Sequence, residues 1–347
     1  MQEQTFELDP QGDVLLVLRR PNLQHLDWGQ ADEHATDEHG YSTDQDEEKE
    51  VRFRLSSRHL SLASPVFNTM LSGGWKESTI SPQQPGTTSN EKIDKNDAAL
   101  PLRYEITATE WDVNVFILLM NILHGHHREV PYSVDIETLA RFSVLVDYYD
   151  CHEITEFFAN IWIEYLQLSL PTAYGRDSTI WLFVSWVFSS ENIFKQMTRL
   201  AMTDSQGPLE TVCLPLPPEL LTAIEKERTE SVRKMIHLLG ELHDDLLKGD
   251  KGCNFLCSSL LLGALMKGMD SNRIERDQDP ESFTKYSVGQ IYLILLGMES
   301  PVNYDYTPGA YGSYEPHTCT LKSMLKPKAV TIWTSLTGLW VGDYKAK

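Results

Sequence analysis

Apolar and polar positions change their period along the chain. The run Val14-Leu-Leu-Val-Leu18, set just after Pro10 and Gly12, predicts a buried strand over 13–18. Val51-Arg-Phe-Arg-Leu55 alternates apolar and charged residues, which predicts a half-buried strand. Ser56 then offers a helix cap before 58–63. Ser64 offers another, with Pro65 at a first-turn position ahead of Val66, Phe67, Met70 and Leu71. Alternation returns over 102–106. The segment 111–123 is apolar on nearly every side, as a buried helix requires, and Gly125 stops it. Helices are expected over 136–148 and 154–166.

From Leu170 onward the patterning is almost wholly helical. The clearest case runs from the Pro217-Pro218 pair to Gly249. Its positions Leu221, Ile224, Arg228, Val232, Met235, Leu239, Leu242 and Leu246 recur at spacings of three and four. This stripe predicts packing within a helical domain, with Arg228 as the one charged member. Further helices are expected over 255–269, 287–298 and 318–339. No repeat period emerges.

The polar stretches set the organisation. Residues 27–50 hold ten acids against Lys49 alone, a net -9 within a chain whose 347 residues carry -20. With almost no aliphatic side chains, this stretch cannot offset its own chain entropy and is expected to be a solvated acidic insertion. A second polar insertion, 78–97, contains Ser-Pro-Gln-Gln-Pro-Gly-Thr-Thr-Ser-Asn. The expected division is an α+β domain over 1–166, a short mixed sheet with helices, then a mainly α-helical region over 167–347.

Charge excludes some functions. Acids outnumber bases by 50 to 30, which argues against nucleic acid and against an anionic membrane surface. The most apolar run, Ile180 to Phe188, is about half the length a membrane span needs. Residues 1–10 lack the apolar core of a secretory signal. Five cysteines, at 151, 213, 253, 257 and 319, read as reduced thiols of the cytoplasm or nucleus.

The usual catalytic signatures do not occur: there is no P-loop, no G-x-G-x-x-G, no G-x-S-x-G and no H-E-x-x-H. No catalytic residue and no cofactor is therefore expected. His124, His126 and His127 follow a buried helix, where cationic imidazoles at a solvated C-terminus would suit the helix dipole. Cys253-Asn-Phe-Leu-Cys257 with His317-Thr-Cys319 supplies the one set with metal-ligand chemistry: Cys253, Cys257, His317 and Cys319. The spacing is weaker than paired C-x2-C, and buried cysteines often only fill space, so core packing is the competing reading.

Four blocks, in order, resemble the BTB/POZ domain. They are Gly12-Asp13-Val14; Phe53-Arg-Leu-Ser-Ser-Arg-His-Leu60 with Leu62-Ala-Ser-Pro-Val-Phe67; Ile106 through Phe116 and Leu119 to Leu123-His-Gly125; and Val146-Asp-Tyr-Tyr-Asp-Cys151. Ser56 stands where the family commonly has His, and the two insertions depart from its compact form. Gly73-Gly-Trp-Lys-Glu77, Trp181 to Phe188, Leu214-Pro-Leu-Pro-Pro218 and Gly338-Leu-Trp-Val-Gly-Asp-Tyr344 resemble the filamentous-fungal BTB proteins with a helical C-terminal half.

The resemblance implies a non-catalytic adaptor or scaffold that binds protein partners, among them a cullin, and links a substrate to a ubiquitin ligase. The alternative is an enzyme or metal-binding protein with an unrecognised site in the helical half. Dimerising family members have a helix before the first strand. Here about a dozen residues, broken by Pro10, precede Asp13, which argues against a swapped homodimer. A sharper role for the acidic insertion would be steering partners.

Overall fold

The computed structural model describes residues 4–24, 26, 49–72, 101–274, 285–301, 304–306, 314–316 and 318–345. Strands β1 (Gln4–Glu7), β2 (Val14–Arg19), β3 (Glu50–Leu55) and β4 (Tyr104–Thr109) form one mixed sheet in the order β1-β3-β2-β4. β2 lies inside it, antiparallel to β3 and parallel to β4. Val14, Leu16, Val17 and Leu18 are all buried, which is why this strand reads as a continuous apolar run. In β3 the alternation sends Val51, Phe53 and Leu55 into the core and leaves Glu50, Arg52 and Arg54 half-buried.

Two details differ from the sequence expectation. Residues before Asp13 contain an edge strand, β1, parallel to β3 from Gln4 opposite Val51 to Glu7 opposite Arg54. Its one large apolar side chain, Phe6, stacks on Phe53 at 5.4 Å, too little apolar content to announce a strand. β4 also starts later than expected. The Asp13 carbonyl accepts from the Arg103 and Tyr104 amides, and pairing with β2 then sets Leu16 opposite Ile106 and Leu18 opposite Ala108.

Helices α1 (Ser57–Ala63), α2 (Pro65–Ser72), α3 (Val113–Leu123), α4 (Ile136–Tyr149) and α5 (His152–Leu166) complete this part. Ser56 occupies the cap position of α1, but its side chain makes no cap hydrogen bond. Asp13 takes that role: its carboxylate accepts the Ser57 amide and hydroxyl, each at 2.9 Å. Ser64 behaves as expected, accepting the Phe67 amide at 3.0 Å while donating to the Tyr149 carbonyl. Asp112 caps α3 through the Val115 amide, and Gly125, at φ +76°, turns the chain out of it.

The chain forms two compact units. The first comprises 1–170 with 183–189 and 212–215; the second comprises 171–182, 190–211 and 216–347. Residues 27–48 of the acidic insertion and all of the polar insertion lie outside the described residues. α6 (Arg176–Val187) contributes to both units, and α7 (Glu191–Asp204), α8 (Pro218–Lys248), α9 (Phe255–Ser271), α10 (Val288–Gly297) and α11 (Leu321–Ser335) belong to the second.

α8 packs against α7, α9, α10 and α11. The stripe read from the sequence is its buried face, apart from half-buried Leu221. Arg228 is fully buried there. Its guanidinium meets Glu225 in a two-pronged pair at 2.9 and 2.6 Å and donates to the Tyr286 carbonyl at 3.1 Å. A short hairpin, β5 (Tyr304–Tyr306) with β6 (Tyr314–Pro316), interrupts the helical run that periodicity suggested. Two three-residue strands are below the length at which alternation registers. No helix among the described residues is long and apolar enough to cross a membrane.

Candidate metal centre

Three cysteines converge in the second unit. α8 ends at Gly249, whose φ of +82° reverses the chain as C-terminal glycines do. The following loop then presses against the start of α9. At Gly252, with φ +92°, any side chain's Cβ would lie 2.9 Å from the Ser258 amide nitrogen, so only glycine fits. Asn254 accepts the Cys257 amide at 2.8 Å and so nucleates α9. Cys253 therefore sits just before the helix, and Cys257 lies in its first turn.

Cys319 arrives from the far side of the hairpin. Thr320 caps α11 by accepting the Ser323 amide at 3.1 Å. The Leu321 amide donates to Ser300 Oγ at 2.8 Å, which fixes the start of α11. The result brings the Cys253, Cys257 and Cys319 sulfurs within 4.8 Å of one another. Cys257 is buried, Cys319 partly so, and Cys253 is exposed, so the trio is open to solvent on one side. Two of the sulfurs, those of Cys257 and Cys319, stand at the N-terminal ends of α9 and α11. Burial, followed by the neighbouring Cys257 sulfur, pushes the Cys319 thiol up. His317, the fourth residue of the sequence-derived set, lies outside the described residues.

The histidine cluster is not what its sequence position suggests. His124 is buried rather than solvated. Its Nε2 accepts the Ser56 amide at 3.1 Å, so Nδ1 carries the proton and donates to the Met120 carbonyl at 2.8 Å. Desolvation by burial lowers its pKa to about 4 against the Met120 bond that raises it, so the ring is neutral. The expected dipole-stabilising cation is thus a neutral core histidine. His126 and His127 are exposed, and His127 meets the Phe158 ring at 5.2 Å.

No protein-family model matches the chain, and no curated protein matches it. Its functional features therefore rest on its own geometry.

Two surfaces escaped the sequence reading. On α5, Phe157, Ile161, Tyr165 and, just beyond, Leu168 are exposed by 69, 39, 63 and 85%. Their spacing puts them on one face. The other face carries the buried Thr155, Ala159, Trp162 and Ile163. An apolar stripe on each side of one helix was the available signal. In the second unit, a groove of about 830 Å³ runs along α9 and α10, lined by Leu260, Gly263, Ala264, Leu293 and Met298 among others.

Proposed function

We propose that this chain is a non-catalytic, BTB-type adaptor of the cytoplasm or nucleus. Its α/β unit binds a cullin-type scaffold, and its helical unit holds a substrate for ubiquitin transfer. The observation that carries the reading is the exposed stripe of Phe157, Ile161 and Tyr165 on α5, with Leu168 just beyond its end. Large aromatic side chains held on a rigid helix are the residues that anchor protein interfaces. Two aromatic and two aliphatic side chains together on one solvent face mark an interaction surface.

Other features support the same reading. The sequence blocks that resemble the BTB/POZ domain fall at the start of β2, on β3 through α2, on β4 through α3, and at the junction of α4 and α5. The groove along α9 and α10 gives the helical unit a separate surface of mixed polar and apolar lining, with Leu260 and Leu293 exposed at it.

The test is a pull-down with purified cullin N-terminal domains, run on the full chain and on a Phe157→Glu/Tyr165→Glu variant. Wild type should bind one cullin at micromolar or better affinity, and the variant should lose at least tenfold while keeping its circular dichroism spectrum. Absence of cullin binding by the folded wild type would overturn the scaffold assignment, and equal binding by the variant would overturn the assignment of the surface.

A further inference from the structure

We infer that Cys253, Cys257 and Cys319 hold a zinc ion through three thiolates, and that this ion ties the start of α9 to the start of α11. A tetrahedral zinc with bonds of about 2.3 Å separates its sulfurs by about 3.8 Å. The three sulfurs already lie within 4.8 Å of one another, so small side-chain rotations complete the geometry.

The chemistry of the donor set selects the metal class. Three soft sulfurs with no carboxylate among them suit zinc and exclude magnesium or calcium as residents. Core packing explains the buried Cys257, but it does not explain why exposed Cys253 and part-exposed Cys319 converge on it. The backbone is also committed to the arrangement. Gly252 is required by the close approach of the loop to Ser258, and that approach delivers Cys253. The Ser300 to Leu321 bond delivers Cys319.

Binding releases the thiol protons to solvent, and the metal takes up the sulfur lone pairs. Positive helix ends at Cys257 and Cys319 offset the charge of the trithiolate. The exposed side at Cys253 provides the path of entry. The contact is between distant stretches of chain: α9 follows α8 directly, whereas Cys319 comes after α10 and the hairpin. A clasp here fixes the closing helix of the unit to its middle.

The inference is independent of the adaptor reading and fails separately from it. Elemental analysis of full-length protein, purified under reducing conditions without chelator, should give close to one zinc per chain. Cys253→Ser, Cys257→Ser and Cys319→Ser should each lower the zinc content at least fivefold, while Cys213→Ser, a control at an exposed cysteine outside the trio, should not. Should the serine variants fail to fold, wild type alone still decides. Exchange of zinc for cobalt should produce the thiolate-to-cobalt charge-transfer band and tetrahedral ligand-field bands, and a strong chelator should expose three further thiols to a colorimetric thiol reagent. Less than about a tenth of an equivalent of zinc, together with no cobalt–thiolate band, would overturn the inference. A disulfide joining two of the three in non-reduced peptide maps of freshly purified protein would do so too.

Discussion

His124 Nε2 accepts the backbone amide of Ser56 at 3.1 Å, which joins the end of α3 to the turn that starts α1. A protonated ring could not accept that bond, so the contact depends on the neutral form. Burial holds the folded pKa near 4, below the ordinary 6.5. The unfolded chain therefore binds the extra proton first as pH falls. The stability this group contributes is fully present above pH 6.5 and is lost between about 6.5 and 4. A shift of this size corresponds to roughly 3 kcal/mol. Urea midpoints should fall as pH drops from 7 to 4.5. In His124→Gln, which has no ring to charge, the midpoint should be lower at pH 7 and should change less over the same window.

Ser64 serves two segments at once, as cap for the Phe67 amide and as donor to the Tyr149 carbonyl at the end of α4. Phe67 and Tyr149 stack at 4.3 Å over the same junction. Ser64→Ala should cost about 1–2 kcal/mol through the lost cap and the unpaired carbonyl. Chemical denaturation would register it. A loss within experimental error would mean that water replaces both bonds.

Arg228 is the single charge in the buried stripe of α8, and its ion-pair partner Glu225 lies one turn earlier, with a side chain one-third exposed. Arg228→Ala removes the buried stem, leaves a cavity and strands the Tyr286 carbonyl. A loss of about 3–5 kcal/mol is expected. Arg228→Met fills the volume without the charge and should recover about half of it, since well-packed apolar replacements of buried ions are tolerated. If alanine and methionine cost the same, the hydrogen bonds and not the packing carry the effect.

The elements that sequence patterning revealed are those whose burial is simple. β2 is covered on both faces, β3 on one, and the α8 stripe faces its neighbours along its length, so apolar period and location agree. The pattern failed where long-range contacts decide. Nothing local marks β1, because its place depends on β3, roughly fifty residues later. Ser56 looks like a cap by type, yet Asp13 reaches the first turn sooner. His124 reads as a solvated helix end because its cover, the Ser56 backbone, comes from another element. The cysteine trio was half legible: the spacing of Cys253 and Cys257 placed them near one helix start, but their meeting with Cys319 depends on α10 and the hairpin between.

Two glycines in the α8–α9 loop separate backbone strain from steric exclusion. Gly249 and Gly252 both have positive φ, +82° and +92°. Beside Gly249 there is open space, so a methyl group there meets nothing. Beside Gly252 a methyl group would lie 2.9 Å from the Ser258 amide nitrogen and 3.1 Å from its Cα, both backbone atoms of α9 that cannot swing aside. Gly249→Ala should therefore cost only the left-handed backbone term, about 1–2 kcal/mol. Gly252→Ala carries that term plus displacement of the loop from α9, for a total of about 2–4 kcal/mol. The displacement moves Cys253 away from Cys257 and Cys319. Thermal or urea unfolding of the two variants side by side checks the energetic order, and equal losses would place the loop farther from Ser258 than the contact described.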